Sequence, residues 1–328
     1  ALAHKLLSIE DLKQKIDFTK KIFVGFSGGS DSSALLHVLA KTAFKYKLDL
    51  NAIHINHKLS KNCDDWEEHC RNMCNNLNVN LITETVKIES SGGGPEAAAR
   101  KARYKIFEKY IDTNDQLLTA HHSDDITETI FLRLMRGTGI EGLQGLSVSR
   151  KFGEGKIIRP LLECSKKDII KYIEDNKIQH ICDDSNDNNL IDRNFLRNEI
   201  FPMLDKRWND FSLRISKTSK IISNRNKNFS KLLNKNYKDL ISDSIEKKAL
   251  SDLDNEIIKE ILRHVIKDKG IAMPSSKVLD EVLKTFINSN PSQKSIVTWS
   301  RADKEDQPGK ITYKDGKILI SANKTKEK

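Results

Sequence analysis

Residues 21–36, K-I-F-V-G-F-S-G-G-S-D-S-S-A-L-L, constrain this chain more than any other stretch. Five residues suited to a buried strand, Ile22 to Phe26, run straight into Ser27-Gly28-Gly29-Ser30-Asp31-Ser32, and apolar residues at helical spacing (Ala34, Leu35, Val38, Leu39) follow at once. The pattern predicts strand, tight turn and helix. Glycines let the backbone bend sharply and bring its N–H groups near a ligand, while the helix aims its positive end at the same point. Such a turn suits an anion. The serine hydroxyls add donors; Asp31 would repel a bare phosphate but suits one that arrives with Mg²⁺ bound. A Mg-nucleotide is the expected ligand.

The turn is neither of the two common nucleotide loops. It lacks the lysine of G-x-x-x-x-G-K-[ST] and the third glycine of G-x-G-x-x-G. The plain alternative is an ordinary glycine-rich turn, which the strand before it and the helix after it disfavour. S-G-G-S-D-S resembles instead the pyrophosphatase loop of enzymes that cut ATP between its α and β phosphates, activating a carbonyl oxygen as an adenylate. Alone, that resemblance names a superfamily and no substrate.

The same alternation repeats downstream. Residues 50–56 read as a second strand ending in His54-Ile55-Asn56-His57, 64–77 as a helix, 79–86 as a third strand, and 90–95 (S-S-G-G-G-P) as a loop before a helix over 96–110. A fourth strand, 116–120, runs into His121-His122-Ser123-Asp124-Asp125 and a helix carrying Glu128; 157–162 is predicted as a fifth strand and 166–176 as a further helix. Strands alternating with helices imply an α/β, Rossmann-like domain with a parallel sheet covered on both faces. Ligands of such sheets bind at the carboxyl ends of the strands, so the loops at 27–32, 54–57 and 121–125 are expected to line one crevice.

Beyond it the composition changes. The formal net charge is +10, and residues 201–241 hold ten basic residues against three acidic ones, so most of the excess sits in one stretch. Its helical spacing (Phe211, Ile215, Ile221, Ile222, Phe229, Leu232, Leu233) predicts a long connecting helix. A smaller, mainly helical domain is expected from about residue 245, ending in short β segments with turns at Pro308-Gly309 and Asp315-Gly316. The expected division is 1–205, 206–242 and 243–328. Such a basic balance favours a polyanionic partner. No apolar run reaches the ~18 residues of a membrane span, and the first residues read as an amphipathic helix, not a signal peptide, so the chain is expected in the cytoplasm. The five cysteines (63, 70, 74, 164, 182) form no C-x-x-C pair and no zinc spacing, which predicts free thiols. Trp66, Trp208 and Trp299 are read as packing residues.

Together the motifs resemble the tRNA(Ile)-lysidine synthetase family. The matching pieces are S27-G-G-S-D-S32, H54-I-N-H57, E96-A-A-A-R-K-A-R-Y104, T119-A-H-H-S-D-D-I-T-E-T129, R136-G-T-G-I-E-G-L-Q-G-L146, R159-P-L-L162 and D184-S-N186 with R193-N-F-L-R197, in family order. The resemblance implies an enzyme that uses ATP and Mg²⁺ to adenylate the C2 oxygen of the wobble cytidine in a CAU-anticodon tRNA(Ile), after which the ε-amine of L-lysine displaces AMP. It implies phosphate contacts from Ser27 to Ser32 with His54 and His57 near the nucleotide, and Asp31 on the metal. Arg100, Arg103, His121 and His122 would meet substrate, and Arg193 and Arg197 an anion. Where relatives carry an arginine after R-P-L-L this chain has Lys166 or Lys167, keeping the charge without the fork geometry.

Lysine recognition needs carboxylates for an ammonium group and a base for an amine of unperturbed pKa ~10.4. Asp125 and Glu128 fit, since i, i+3 spacing puts both on one helix face. The bland alternative is two acids that favour a helix N-terminus electrostatically. A metal site at the histidines is disfavoured, because adjacent histidines do not easily ligate one ion and no cysteine joins them. Lys217, Lys220, Arg225 and Lys227 are expected to meet tRNA phosphates; a solvated charged helix is the alternative. The rival functions are a pyrophosphatase-loop tRNA thiolase and a non-catalytic tRNA-binding module.

Overall fold

The computed structural model describes residues 8–58, 61–86, 94–182, 188–300 and 307–323. It divides into two compact units, Ala1–Ser91 with Ala98–Asn224, and Gly92–Ala97 with Arg225–Lys328. Among the described residues no helix is long and apolar enough to cross a membrane.

The first unit opens with helix α1 (Ile9–Lys15), capped by the Ser8 side chain. A six-stranded sheet follows in the order β3-β2-β1-β4-β6-β5. Strand β1 (Ile22–Gly25) lies between β2 (Leu50–Asn56) and β4 (Gln116–Leu118), parallel to both. The chain thus travels outward from β1 through β2 to β3 (Asn80–Thr85), then returns to the other side of β1. That reversal makes a crevice beyond the ends of β1 and β4. Alternation along β1 covers both faces: Ile22 and Val24 pack with Leu35, Leu39, Ile169 and Ile173, while Phe23 packs with Phe107, Ile111 and Ile157. The helices of this unit include α2 (Ser30–Tyr46), α3 (Cys63–Asn76), α4 (Gly94–Tyr110) from Ala98 onward, α5 (Ser123–Met135) and α6 (Lys166–Asp175).

The expected fifth strand is present but ends at Ile158, and it is the second arm of a hairpin. Strand β5 (Ser149–Phe152) turns through Gly153, at φ +53°, into β6 (Gly155–Ile158), which pairs parallel with β4. The ladder stops before Pro160, which has no N–H to give it. The basic stretch is likewise not one helix. Helices α7 (Asp192–Phe195) and α8 (Phe201–Arg207) precede a break at Trp208, Asn209 and Asp210, the last at φ +57°, and α9 (Phe211–Asn236) then runs for 26 residues. Trp208 is 53% exposed there, so it is not the packing residue expected.

The second unit carries an antiparallel sheet, β7-β10-β9-β8, of Ser244–Glu246, Lys317–Ala322, Gly309–Lys314 and Ile296–Trp299. Helix α10 (Lys247–Leu250) and the longer α11 (Asn255–Asp268) precede α12 (Ser276–Val282). Ile258, Ile261, Leu262, Val265, Phe286, Ile311 and Ile318 form the core. Asp315 and Gly316, at φ +50° and +81°, make the two-residue turn between β9 and β10. Gly309 is not a turn glycine: it opens β9, and a Cβ on it would fall 2.1 Å from the Trp299 ring, so its bareness makes room for that indole.

Candidate nucleotide and substrate site

The turn after β1 is held by its own side chains. Ser32 Oγ accepts from the Ser27 N–H at 3.2 Å and donates to Gly29 O at 3.1 Å; Ser33 Oγ donates to Gly28 O at 3.1 Å. Gly28 stands at φ +81°, and a Cβ there would meet Ile181 Cδ1 at 2.4 Å and Cys70 Sγ at 2.9 Å. The turn is also tied from outside, since the Ile181 N–H donates to Gly28 O at 2.9 Å. The first-turn N–H groups of α2 at Ser30, Asp31 and Ser32 have no intrahelical partner by helix geometry and face outward from its positive end.

The Asp31 carboxylate is engaged. Lys166, the first residue of α6, places Nζ 2.6 Å from Asp31 Oδ1 and 2.8 Å from Ser30 Oγ. Lys167 points away, to Asp205 at 2.5 Å, so Lys166 supplies the charge at the loop. His122 lies on the other side, with Nε2 3.7 Å from Asp31 Oδ2 and 3.5 Å from Asp125 Oδ2. Because His122 Nδ1 accepts the Asp124 N–H at 3.3 Å, the neutral ring carries its proton on Nε2, toward the two carboxylates. The donor set fits Mg²⁺: one exposed-edge carboxylate beside open N–H groups suits an ion that takes most of its ligands from water and phosphate oxygens.

Asp125 and Glu128 are brought together with this loop but hold different environments. Asp125 accepts the His122 N–H at 2.8 Å, completing a capping box at the start of α5. Burial works against its charge, yet that hydrogen bond and the nearby Arg197 guanidinium help to hold the carboxyl below its usual range. Glu128 is 2% exposed, and burial pushes its carboxyl up although the Arg197 guanidinium pulls the other way. Arg197, expected to meet an anion, pairs with Glu128 Oε1 through Nε at 2.8 Å and Nη2 at 2.6 Å.

Burial favours the neutral form of three further histidines, His54, His57 and His121. His54 is buried with Nδ1 3.0 Å from Phe26 O, a link between neighbouring strand ends, and burial lowers its pKa. His57 is lowered to about 4 by burial, with Arg103 adding repulsion. His121, 2.9 Å from Thr119 Oγ1, is lowered to about 3 by burial, against Asp125 and together with Arg159, Arg100 and Arg103. The arginines expected on α4 therefore face the same ground as His57 and His121. Arg159, named in sequence only as the start of R-P-L-L and given no role, joins them; it is 3% exposed and donates to Ser147 O at 2.9 Å. Arg193 acts on Glu128 from a distance.

The D184-S-N186 motif lies outside the described residues. Lys217, Lys220, Arg225 and Lys227 are all exposed on α9, Lys220 paired with Glu163 at 2.5 Å. Of the thiols, Cys70, Cys74 and Cys164 are buried and pushed up to about 12, which leaves them inert.

Comparison with known proteins adds an independent finding. A PP-loop domain family matches residues 4–204. The tRNA(Ile)-lysidine synthase of Legionella pneumophila (strain Lens) is 32% identical over 351 residues, covering 99% of this chain and 81% of that protein. That of Proteus mirabilis (strain HI4320) is 38% identical over 237 residues, 72% of this chain and 54% of its own length. The synthase of Photorhabdus laumondii is 39% identical over 233 residues, 70% of this chain and 53% of its own. The chain spans about half the length of the latter two. Among solved structures, the U34-tRNA thiolase of Methanococcus maripaludis superposes with a TM-score of 0.53 at 16% identity, over 67% of this chain and 76% of that one, a likeness of fold alone.

Proposed function

The chain belongs to the PP-loop domain family and, within it, to the tRNA(Ile)-lysidine synthases, and on that premise we propose that it ligates lysine to C2 of the wobble cytidine in a CAU-anticodon tRNA(Ile). The reaction runs in two steps in the cytoplasm. The cytidine O2 attacks the α phosphorus of ATP as pyrophosphate leaves, and the ε-amine of lysine then attacks C2 as AMP leaves. Ser27 to Ser32 hold the phosphates through hydroxyls and first-turn N–H groups. Mg²⁺ bound at Asp31 would offset phosphate charge.

Asp125 and Glu128 take the lysine side. Two neighbouring carboxyls whose environments push their affinities for a proton apart suit two roles. Asp125, kept ionised, attracts the ammonium group; Glu128, pushed up by burial, accepts its proton. Arg100 and Arg103 meet the lysine carboxylate, and the basic α9 with the second unit holds the tRNA body. The observation that carries this reading is His122, whose Nε2 stands between Asp31 of the nucleotide loop and Asp125 of the acidic pair, so that two half-sites share one side chain.

Incubation with ATP, labelled lysine and total tRNA tests it. Label in tRNA, dependent on ATP, is the expected result. Binding of tRNA without turnover would mean a non-catalytic module; sulfur in place of lysine would mean a thiolase, a chemistry the three buried thiols do not suit.

A further inference from the structure

A cation begins helix α6 where the helix field disfavours one. Lys166 and Lys167 occupy its first two positions, although the positive end of a helix favours acids. The positions are also firmly set. Ser165 and Asp168 form a capping box over the same turn, and the Ser123 N–H donates to Cys164 O at 2.9 Å, binding this strap to the start of α5. Leu161, Leu162 and Cys164 beneath it are buried. The Lys166 backbone is thus fixed, while its side chain stays 38% exposed and reaches the nucleotide loop. Of the three N–H donors on its ammonium, Ser30 and Asp31 engage two.

We propose that Lys166 contacts the pyrophosphate end of ATP and stabilises the charge that develops there as the α–β bond breaks, a role that rests on the adenylation reading above. In that step an electron pair from cytidine O2 forms the new bond to the α phosphorus. The bond from that phosphorus to the α–β bridging oxygen breaks, and its pair leaves on pyrophosphate. The leaving group gains charge at the oxygen being released, where a fixed ammonium does most good. Lys166 exchanges part of its contact with Asp31 for phosphate oxygens, and the carboxylate it gives up is the one expected to hold the metal. The pairing with Asp31 therefore keeps the ammonium in place without a permanent commitment, which the exposed edge of the pair allows.

The test compares wild type with Lys166→Met, Lys166→Arg and Lys167→Met. It follows pyrophosphate release with tRNA and ATP, the inhibition constant of inorganic pyrophosphate, calorimetric pyrophosphate binding and thermal melting. Lys166→Met is expected to lower kcat about 100-fold with a much smaller change in KM for ATP, the loss typical of one preorganised charge contact. Pyrophosphate binding should weaken about 10-fold in the same variant. Arg should restore most of both, and Lys167→Met should match wild type. A Lys166→Met protein that melts lower but binds pyrophosphate unchanged would overturn the inference and leave Lys166 a brace for the loop. If wild type releases no pyrophosphate with any tRNA, the functional reading fails by itself. The calorimetric comparison of wild type with Lys166→Met still decides the role of Lys166.

Discussion

Two nitrogens of Arg197 converge on a single oxygen of Glu128, Oε1, at 2.8 and 2.6 Å. Both hydrogen bonds fall on an acid that is almost fully buried, whereas the arginine keeps 43% of its side chain exposed. Glu128 depends on this partner to stay charged, and Arg197 depends on it less. Removing either one has different consequences.

Arg197→Met should destabilise the protein by about 1–3 kcal/mol, below the 3–5 of a fully buried pair because the arginine side is partly solvated. The variant should also gain stability in acid relative to wild type. With the guanidinium gone, Glu128 rises further above its unfolded value, so the penalty vanishes where the carboxyl is protonated and grows as pH rises through the folded pKa. Thermal melts between pH 5 and 8 measure both effects.

Asp125→Asn and Glu128→Gln should accumulate adenylated tRNA while failing to transfer lysine. Single-turnover assays with labelled ATP and labelled lysine separate the steps. Equal loss of both would move these acids to the metal or to the fold. Asp125→Asn should in addition cost about 1 kcal/mol of stability, since its carboxylate caps α5.

Acid should destabilise wild type below neutrality. His57 and His121 are held neutral by burial, at about 4 and about 3, against an unfolded value near 6.5. Between those limits the unfolded chain binds more protons, so stability present above pH ~6.5 is lost as pH falls toward the folded values. His57→Asn should flatten the fall in melting temperature between pH 6.5 and 4.5; an unchanged slope would mean that this ring is not desolvated.

Changing Lys217, Lys220, Arg225 and Lys227 to glutamine should weaken tRNA binding and lower its log–log salt slope by about 0.7–0.9 for each phosphate no longer neutralised. ATP affinity should not change. An unaltered slope would make this a solvated helix face. Lys220 should contribute least, because Glu163 already shares its charge.

The nucleotide loop and the start of α5 were legible because each is written in consecutive residues: a strand period, two glycines or an acidic turn, then a helix period. Pairings across the chain were not. Nothing near Lys166 announces a partner 135 residues away, and Arg197 and Glu128 were both singled out without any sign that they meet. Strand β5, S-R-K-F, buries one residue of four and so lacks the alternation that marks a strand. Gly309 reads as a turn glycine until the Trp299 ring that requires it is seen.

The hydrogen bond from the Ile181 N–H to Gly28 O has a consequence for the order of assembly. Its two ends emerge from the ribosome far apart in time, as do Asp31 and Lys166. Pairings of such long sequence separation form late, after the chain between them has been made and closed into a loop. A nascent chain that stops short of Ile181 already holds the whole S-G-G-S-D-S motif but lacks the peptide that braces it, and one that stops before Lys166 lacks the lysine as well. The segment that carries the nucleotide chemistry is therefore structurally among the last of its unit to be finished, and translation products truncated before Ile181 lack a completed nucleotide loop.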